Sequence, residues 1–471
     1  MVRRGSAVAL LLLACCSGSS GSGQAPPVPA DIDQMQPALA TAVDDTGGLW
    51  VVAGYTDMSA PPASGMGLSV RSPEGVWSVH APLEPDGNTF RPDGDAWLAA
   101  AQNGKRAYYV SLLEAEEQPA TDDDVGDGLA LAVVDVASGQ PKIEAPKRID
   151  LGDWPGWDEP TVAATRPSGA SVDTVLVAGT PIAPDMQDAV AVLVSHDGGT
   201  SFHEVPLLRA PGYPGHHSPR DTLVRPVLQQ DPRPGQECHA YLAFGVYYPS
   251  AFASTAGVQP PACELDAQGC RSIAETQTTD CGETWAAPTF AAIDTGSPQG
   301  EDFRGFSYAV AGDGTRLVMF GDEDADDAPI LLKRAAAGAS FSVVQAGRWD
   351  DGPTETLASG PGASGQPVSR WRPTLAAGNR MAAVWVEEAT STHASSLWMR
   401  TTATPTSTWA AAQQIDDVGT ACDGVTFPSD DYMAAVPEAA FGSPATGFVI
   451  AWAPFVPCGS QAPRHVEFQT F

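Results

Sequence analysis

Ser195-His196-Asp197-Gly198-Gly199-Thr200-Ser201-Phe202 and Thr278-Thr279-Asp280-Cys281-Gly282-Glu283-Thr284-Trp285 share one spacing. In each, a hydroxyl is followed by an aspartate, a glycine and an aromatic ring at matching positions. A short hydroxyl and a carboxylate accept backbone N–H groups inside a tight turn, glycine takes the positive φ, and the ring plugs the packing beneath. The pattern predicts two hairpins of the same build at equivalent points of neighbouring units. Fainter copies at Arg71-Ser72-Pro73-Glu74-Gly75-Val76-Trp77, Ala337-Gly338-Ala339-Ser340-Phe341 and Thr404-Pro405-Thr406-Ser407-Thr408-Trp409 keep the turn and the aromatic but lose the aspartate.

Working outward, 47 glycines and 42 prolines in 471 residues exceed the roughly 12% of ordinary usage and punctuate short apolar runs. These runs are rich in β-formers, as at Leu49–Ala53, Ala107–Ser111, Thr174–Ala178, Arg316–Phe320, Met381–Val386 and Gly447–Trp452, and read as strands. A 3.6-residue apolar period is absent, so helical repeats are excluded. Each strand follows a shorter run, headed in turn by Gln36, Ala96, Glu159, Arg225, Arg304, Arg372 and Val436. Seven such units spaced roughly 60 residues apart predict an all-β, single β-propeller from residue 33 to 471. Six blades is the alternative count, because the last unit shows only about three strands. A strand from before Gln36 is one way to complete it.

The two complete turns match the Asp box, and here the chain resembles the sialidase and BNR-repeat superfamily. The resemblance implies a propeller whose Asp boxes lie on the outer rim, away from the ligand. Ser195, Asp197, Gly199, Phe202, Thr278, Asp280, Gly282 and Trp285 are therefore assigned a structural role.

Inner-strand starts ring one mouth of a propeller channel, so Arg225, Arg304 and Arg372 of three successive units are expected to cluster there. Guanidinium groups bind carboxylates through a planar fork, and the resemblance implies an arginine triad for a substrate carboxylate at that mouth. Glu159, Asp302 and Trp371 complete the candidate site, and Trp157 flanks it. The alternative role for the arginines is pairing with inner-strand acids, Asp158, Glu159, Asp302 and Glu438. The superfamily's first-blade Arg-Ile-Pro is replaced at Gln36, and Phe90-Arg91-Pro92 is a loose echo. Sialidase chemistry also needs a tyrosine nucleophile, a glutamate partner and an acid/base aspartate. Spacing assigns none of these roles to Tyr432, Tyr308, Asp302 or Asp158, so the catalytic residues stay open.

At the N-terminus, Arg3 and Arg4 precede an apolar run from Ala7 to Ala14, too short for the about 20 residues of a membrane span, and read as a signal peptide. Leu12-Leu13-Ala14-Cys15 resembles a bacterial lipobox, which implies a signal over residues 1–14, lipidation of Cys15 and a Ser/Gly/Pro tether over 15–32. An exported, lipid-anchored protein of the cell envelope is expected. With 57 acidic and 25 basic residues and a net charge of -32, the chain repels phosphate backbones, which excludes nucleic acid as a partner.

Cys238, Cys263, Cys270 and Cys281 are expected to pair among themselves in the fourth unit, and Cys422 with Cys458 in the last. No CxxC spacing points to zinc, and no cofactor or metal is expected. The acidic loops Asp122–Asp127 and Asp322–Asp327 offer oxygens suited to calcium. Asp322, Asp324 and Asp326 begin like an EF-hand loop, but Ala328 and Lys333 occupy later ligand positions. The leading functional expectation is a monomeric propeller binding a glycan, a peptide or an envelope protein at its channel mouth. An exo-acting glycosidase of sialidase type and an assembly scaffold without a small-molecule site are the alternatives.

Overall fold

The computed structural model describes residues 34–57, 65–83, 90–101, 104–115, 128–151, 156–182, 189–209, 223–247, 271–294, 306–321, 329–341, 354–362, 365–420, 433–438, 447–452 and 466–471. These residues form strands throughout, in seven separate antiparallel sheets. Blade 1 holds β1 (Gln34–Val43), β2 (Leu49–Asp57), β3 (Gly65–Arg71) and β4 (Trp77–Leu83). Blade 2 holds β5 (Phe90–Ala100), β6 (Arg106–Ala115), β7 (Gly128–Asp135), β8 (Lys142–Ile143) and β9 (Lys147–Ile149). Blade 3 runs β10 (Gly156–Thr165), β11 (Thr174–Ile182), β12 (Ala189–Ser195) and β13 (His203–Arg209). Blade 4 runs β14 (Leu223–Gln230), β15 (Ala240–Tyr247), β16 (Arg271–Thr278) and β17 (Thr289–Asp294). Blade 5 has β18 (Phe306–Val310), β19 (Arg316–Gly321), β20 (Ile330–Ala335) and β21 (Thr354–Ala358). Blade 6 has β22 (Val368–Ala377), β23 (Met381–Ala389), β24 (Ala394–Thr402) and β25 (Gln413–Thr420). Blade 7 has β26 (Ala434–Pro437), β27 (Phe448–Trp452) and β28 (Glu467–Thr470).

The inner strands contact one another in the order β1, β5, β10, β14, β18, β22, β26 and back to β1, so the ring closes on itself. A single twisted sheet has two apolar faces to cover, and each blade covers them with its neighbours. Seven buried clusters result, each shared by two adjacent blades. The closing cluster joins Leu39, Val51, Ala53 and Tyr55 of blade 1 to Val449, Ala451 and Val466 of blade 7. An ion pair at 2.7 Å between Arg71 and Glu438 spans the same seam. The blade count is seven. Among the described residues blade 7 has three strands, and no strand ahead of β1 joins it.

The two turns that share the Ser/Thr-x-Asp-x-Gly pattern are built alike. Asp197 Oδ1 accepts the Thr200 and Ser201 N–H groups at 2.9 Å, and the Gly199 N–H donates to Ser195 Oγ at 2.8 Å. Asp280 Oδ1 likewise accepts the Thr284 N–H at 2.9 Å, and the Gly282 N–H donates to Thr278 Oγ1 at 3.0 Å. Burial opposes ionisation of Asp197, but the bonds from Ser201, Ser195 and Thr200 outweigh it and hold the carboxyl down at about 2. Glycine is required twice over at each turn. Gly199 and Gly282 have φ of 88° and 97°, and a Cβ on either would lie 2.5 Å from a leucine of the preceding blade, Leu131 or Leu176. The turns thus clamp each blade to the one before. A disulfide from Cys238 to Cys281 ties the blade 4 turn to the loop between β14 and β15.

Candidate functional site

Five inner strands carry the same irregularity. In β1, β5, β10, β14 and β22 two residues face one residue of the second strand, which is a bulge. The bulged pairs are Gln36-Pro37, Asp95-Ala96, Glu159-Pro160, Arg225-Pro226 and Arg372-Pro373. Proline lacks the N–H that a ladder needs, so an X-Pro step inside a strand is tolerated where pairing is already broken. Bulges re-aim the side chains that precede and follow them. Here the five bulges fall at equivalent positions of their inner strands, and Glu159 and Arg225 line the channel cavity.

The register corrects the sequence alignment in blade 2. The position equivalent to Gln36, Glu159, Arg225 and Arg372 is Asp95, one residue before Ala96. The reason is physical, because blade 2 bulges without a proline, so the step that marks the other four bulges is missing there. Arg91 of the Phe90-Arg91-Pro92 run lies four residues earlier and pairs with Glu114 in register. It does not occupy the rim position.

Glu159 and Arg225 are held in the left-handed region, with φ of 46° and 54°. This conformation is costly for residues with a Cβ and persists where the surroundings enforce it. The surroundings here are each other. The Arg225 N–H, released from the ladder by its bulge, donates to Glu159 Oε2 across the blade 3–4 seam. Glu159's own N–H donates to Asp158 Oδ1 at 2.8 Å. Glu159 and Arg225 of adjacent blades therefore meet on one cavity of about 290 Å³ in the channel. Pro37, Pro160, Pro226, Pro373 and Pro437 line that cavity, one from each of five blades.

One aromatic crosses the channel. Trp97, on the inner strand of blade 2, packs against the cluster of blades 2 and 3 and also against that of blades 4 and 5. It lines the same cavity and is only partly buried. The sequence shows Trp97 as one more inner-strand aromatic, and only ring closure reveals its reach.

Of the other candidate residues, Arg372 and Trp371 lie on β22 at the bulge and just before it. Arg304 and Asp302 lie outside the described residues, as do Tyr432, Cys15, Cys263, Cys270, Cys422, Cys458 and both acidic loops, Asp322, Asp324 and Asp326 included. Glu438 pairs with Arg71 of blade 1 across the closing seam. Trp157 is fully buried in the blade 2–3 cluster and presents no face to a ligand.

Tyr308 is likewise buried, at the seam of blades 4 and 5. Its hydroxyl donates to Glu275 Oε2 at 2.6 Å, and Arg316 binds the other carboxylate oxygen. Burial, with the Glu275 charge beside it, pushes the phenol well above its usual value, so it stays protonated. The trio lies between blades 4 and 5 and is structural.

Neither a protein-family model nor a curated protein matches the chain. Solved structures that match include the polysaccharide lyase Uly1, at 9% identity and a TM-score of 0.45, over 92% of this chain and 88% of that one. The NanB sialidase from Streptococcus pneumoniae matches at 8% identity and a TM-score of 0.36, over 93% of this chain and 83% of that one. A xylan β-1,4-xylosidase from Bacillus halodurans matches at 11% identity and a TM-score of 0.32, over 69% of this chain. The chain spans little more than half of that xylosidase, 54%. These likenesses are distant, and the blade count rests on the sheets themselves.

Proposed function

We propose that this protein is a binding propeller that takes an acidic glycan at the channel rim formed by Glu159, Arg225 and Arg372, with Arg304 completing the arginine set. The observation that carries this reading is the pair of left-handed bulge residues, Glu159 and Arg225, locked together at the edge of a cavity. A guanidinium is suited to a sugar carboxylate, a neighbouring carboxylate to sugar hydroxyls, and a partly exposed indole such as Trp97 to an apolar ring face. The reading favours binding over hydrolysis because the Tyr308 phenol is buried and held protonated by desolvation and by the Glu275 charge beside it.

Calorimetry of the mature protein against sialyllactose, an oligouronate and their neutral counterparts tests it. Binding of an acidic glycan is expected. Arg225→Ala and Arg304→Ala should each weaken it by roughly ten- to a hundredfold, the value of a charged hydrogen bond, while the melting temperature holds. Affinity unchanged in both variants would overturn the rim site, and turnover of a fluorogenic sialoside would replace binding with hydrolysis.

We further propose that Cys15 is lipidated and holds the propeller at the cell envelope. Among the described residues no helix is long and apolar enough to cross a membrane, and two lipid chains suffice for stable anchoring. Intact-mass measurement of the membrane fraction should show a diacylated or triacylated N-terminus. An unmodified Cys15 in that fraction would remove the proposal.

A further inference from the structure

We infer that His196, His203 and Glu283 form a zinc site on the outer face of the seam between blades 3 and 4. His196 sits in the turn that leaves β12, and His203 begins β13 opposite Val194. Glu283 comes from the corresponding turn of blade 4. The His196 Nε2 lies 2.5 Å from Glu283 Oε1 and the His203 Nε2 lies 3.3 Å from the same oxygen. All three donor atoms fall within 4.8 Å of one another. A tetrahedral zinc with bonds of about 2.0–2.1 Å requires donor separations of about 3.3 Å, so small side-chain rotations seat the ion.

Two further observations separate this cluster from a chance surface contact. The remaining ring nitrogen of His196, Nδ1, lies 3.2 Å from Thr174 Oγ1, which orients the imidazole as outer partners orient metal-bound histidines. The ligands also stand on two turns braced by internal hydrogen bonds. Asp197 braces the turn between the histidines, Asp280 braces the turn of Glu283, and the Cys238–Cys281 disulfide fixes the chain two residues before it.

Two imidazoles aimed at one carboxylate oxygen must both offer it an N–H or share a cation with it. Two neutral imidazoles and a carboxylate give a mixed N/O set of net charge −1, suited to a divalent ion of the zinc class. The side chains are about half exposed, 49% and 50% for the histidines and 45% for Glu283. Water therefore completes the fourth position, and the ion links two blades that otherwise meet there through the turns.

Titration of the EDTA-treated, tag-free mature protein with zinc chloride, followed by calorimetry and melting temperature, tests this. Wild-type protein should take up a single zinc ion at this site and melt higher with it. The His196→Ala/His203→Ala double variant should lose both effects, and Glu283→Gln should weaken binding. Thr174→Val should lower affinity by roughly ten- to a hundredfold. His216→Ala/His217→Ala, which alters the chain's one pair of adjacent histidines, should leave both effects intact. The inference falls if wild-type protein binds no zinc, or if zinc binding survives in the double variant or vanishes in His216→Ala/His217→Ala. The ligands are exposed, so the metal-free variants should melt as the metal-free wild type does.

Discussion

Arg316→Ala is expected to cost about 3–5 kcal/mol of folding free energy, because it leaves the Glu275 carboxylate uncompensated inside the blade 4–5 seam. The Arg316 and Glu275 side chains are 5% and 4% exposed. Tyr308 donates to the same carboxylate at 2.6 Å. Arg316 also lies over the Tyr241 and Phe341 rings at 5.1 and 5.4 Å, so its stem and charge are both used in packing. Burial raises the Glu275 carboxyl, while the Arg316 charge and the Tyr308 hydroxyl act against that rise.

Without Arg316 the carboxyl rises further, and the folded state keeps a proton that the unfolded state has already released. Stability of the variant therefore falls as pH rises above the ordinary glutamate value of about 4.3, and the deficit shrinks below it. Urea unfolding at pH 5 and pH 8 measures this, with the larger loss expected at pH 8. Adding Glu275→Gln to the variant should recover part of the loss. A deficit under about 1 kcal/mol, the ordinary worth of an exposed pair, and equal at both pH values, would show that the seam does not depend on this charge pair.

Trp157→Ala is expected to remove about 3–5 kcal/mol as well, here through a cavity rather than a charge. The indole is fully buried between blades 2 and 3. It covers Gly179, where an added Cβ would lie 2.5 Å from the ring. Gly179 is the residue that faces the Glu159-Pro160 bulge, so the glycine, the indole and the bulge form one packed unit. Denaturant midpoint and glycan affinity measured together separate the roles. A stability loss is expected, whereas lost affinity at unchanged stability would place Trp157 at the ligand instead.

Much of the site's framework was legible because it is written in short-range chemistry. The hydroxyl, aspartate and glycine of the Ser195 and Thr278 turns act within five residues of each other, and the X-Pro steps of Gln36, Glu159, Arg225 and Arg372 mark their own bulges. The misplacement in blade 2 has the same origin, since Asp95-Ala96 bulges without a proline. The pairing of Cys238 with Cys281 follows the locality expected for the fourth unit.

By itself the sequence determined the repeat, its strands and the turns that close them, because alternation, glycine and proline constrain φ and ψ among near neighbours. Ring closure decided everything that lies one blade away. Arg225 meets Glu159 from 66 residues off, and Arg316 meets Glu275 from 41. His196 meets Glu283 from 87 residues off, and Trp97 reaches from blade 2 to blades 4 and 5. Such pairs leave no mark in local patterning, since what selects them is the fit of one twisted sheet against the next and the cost of leaving a buried charge without a partner.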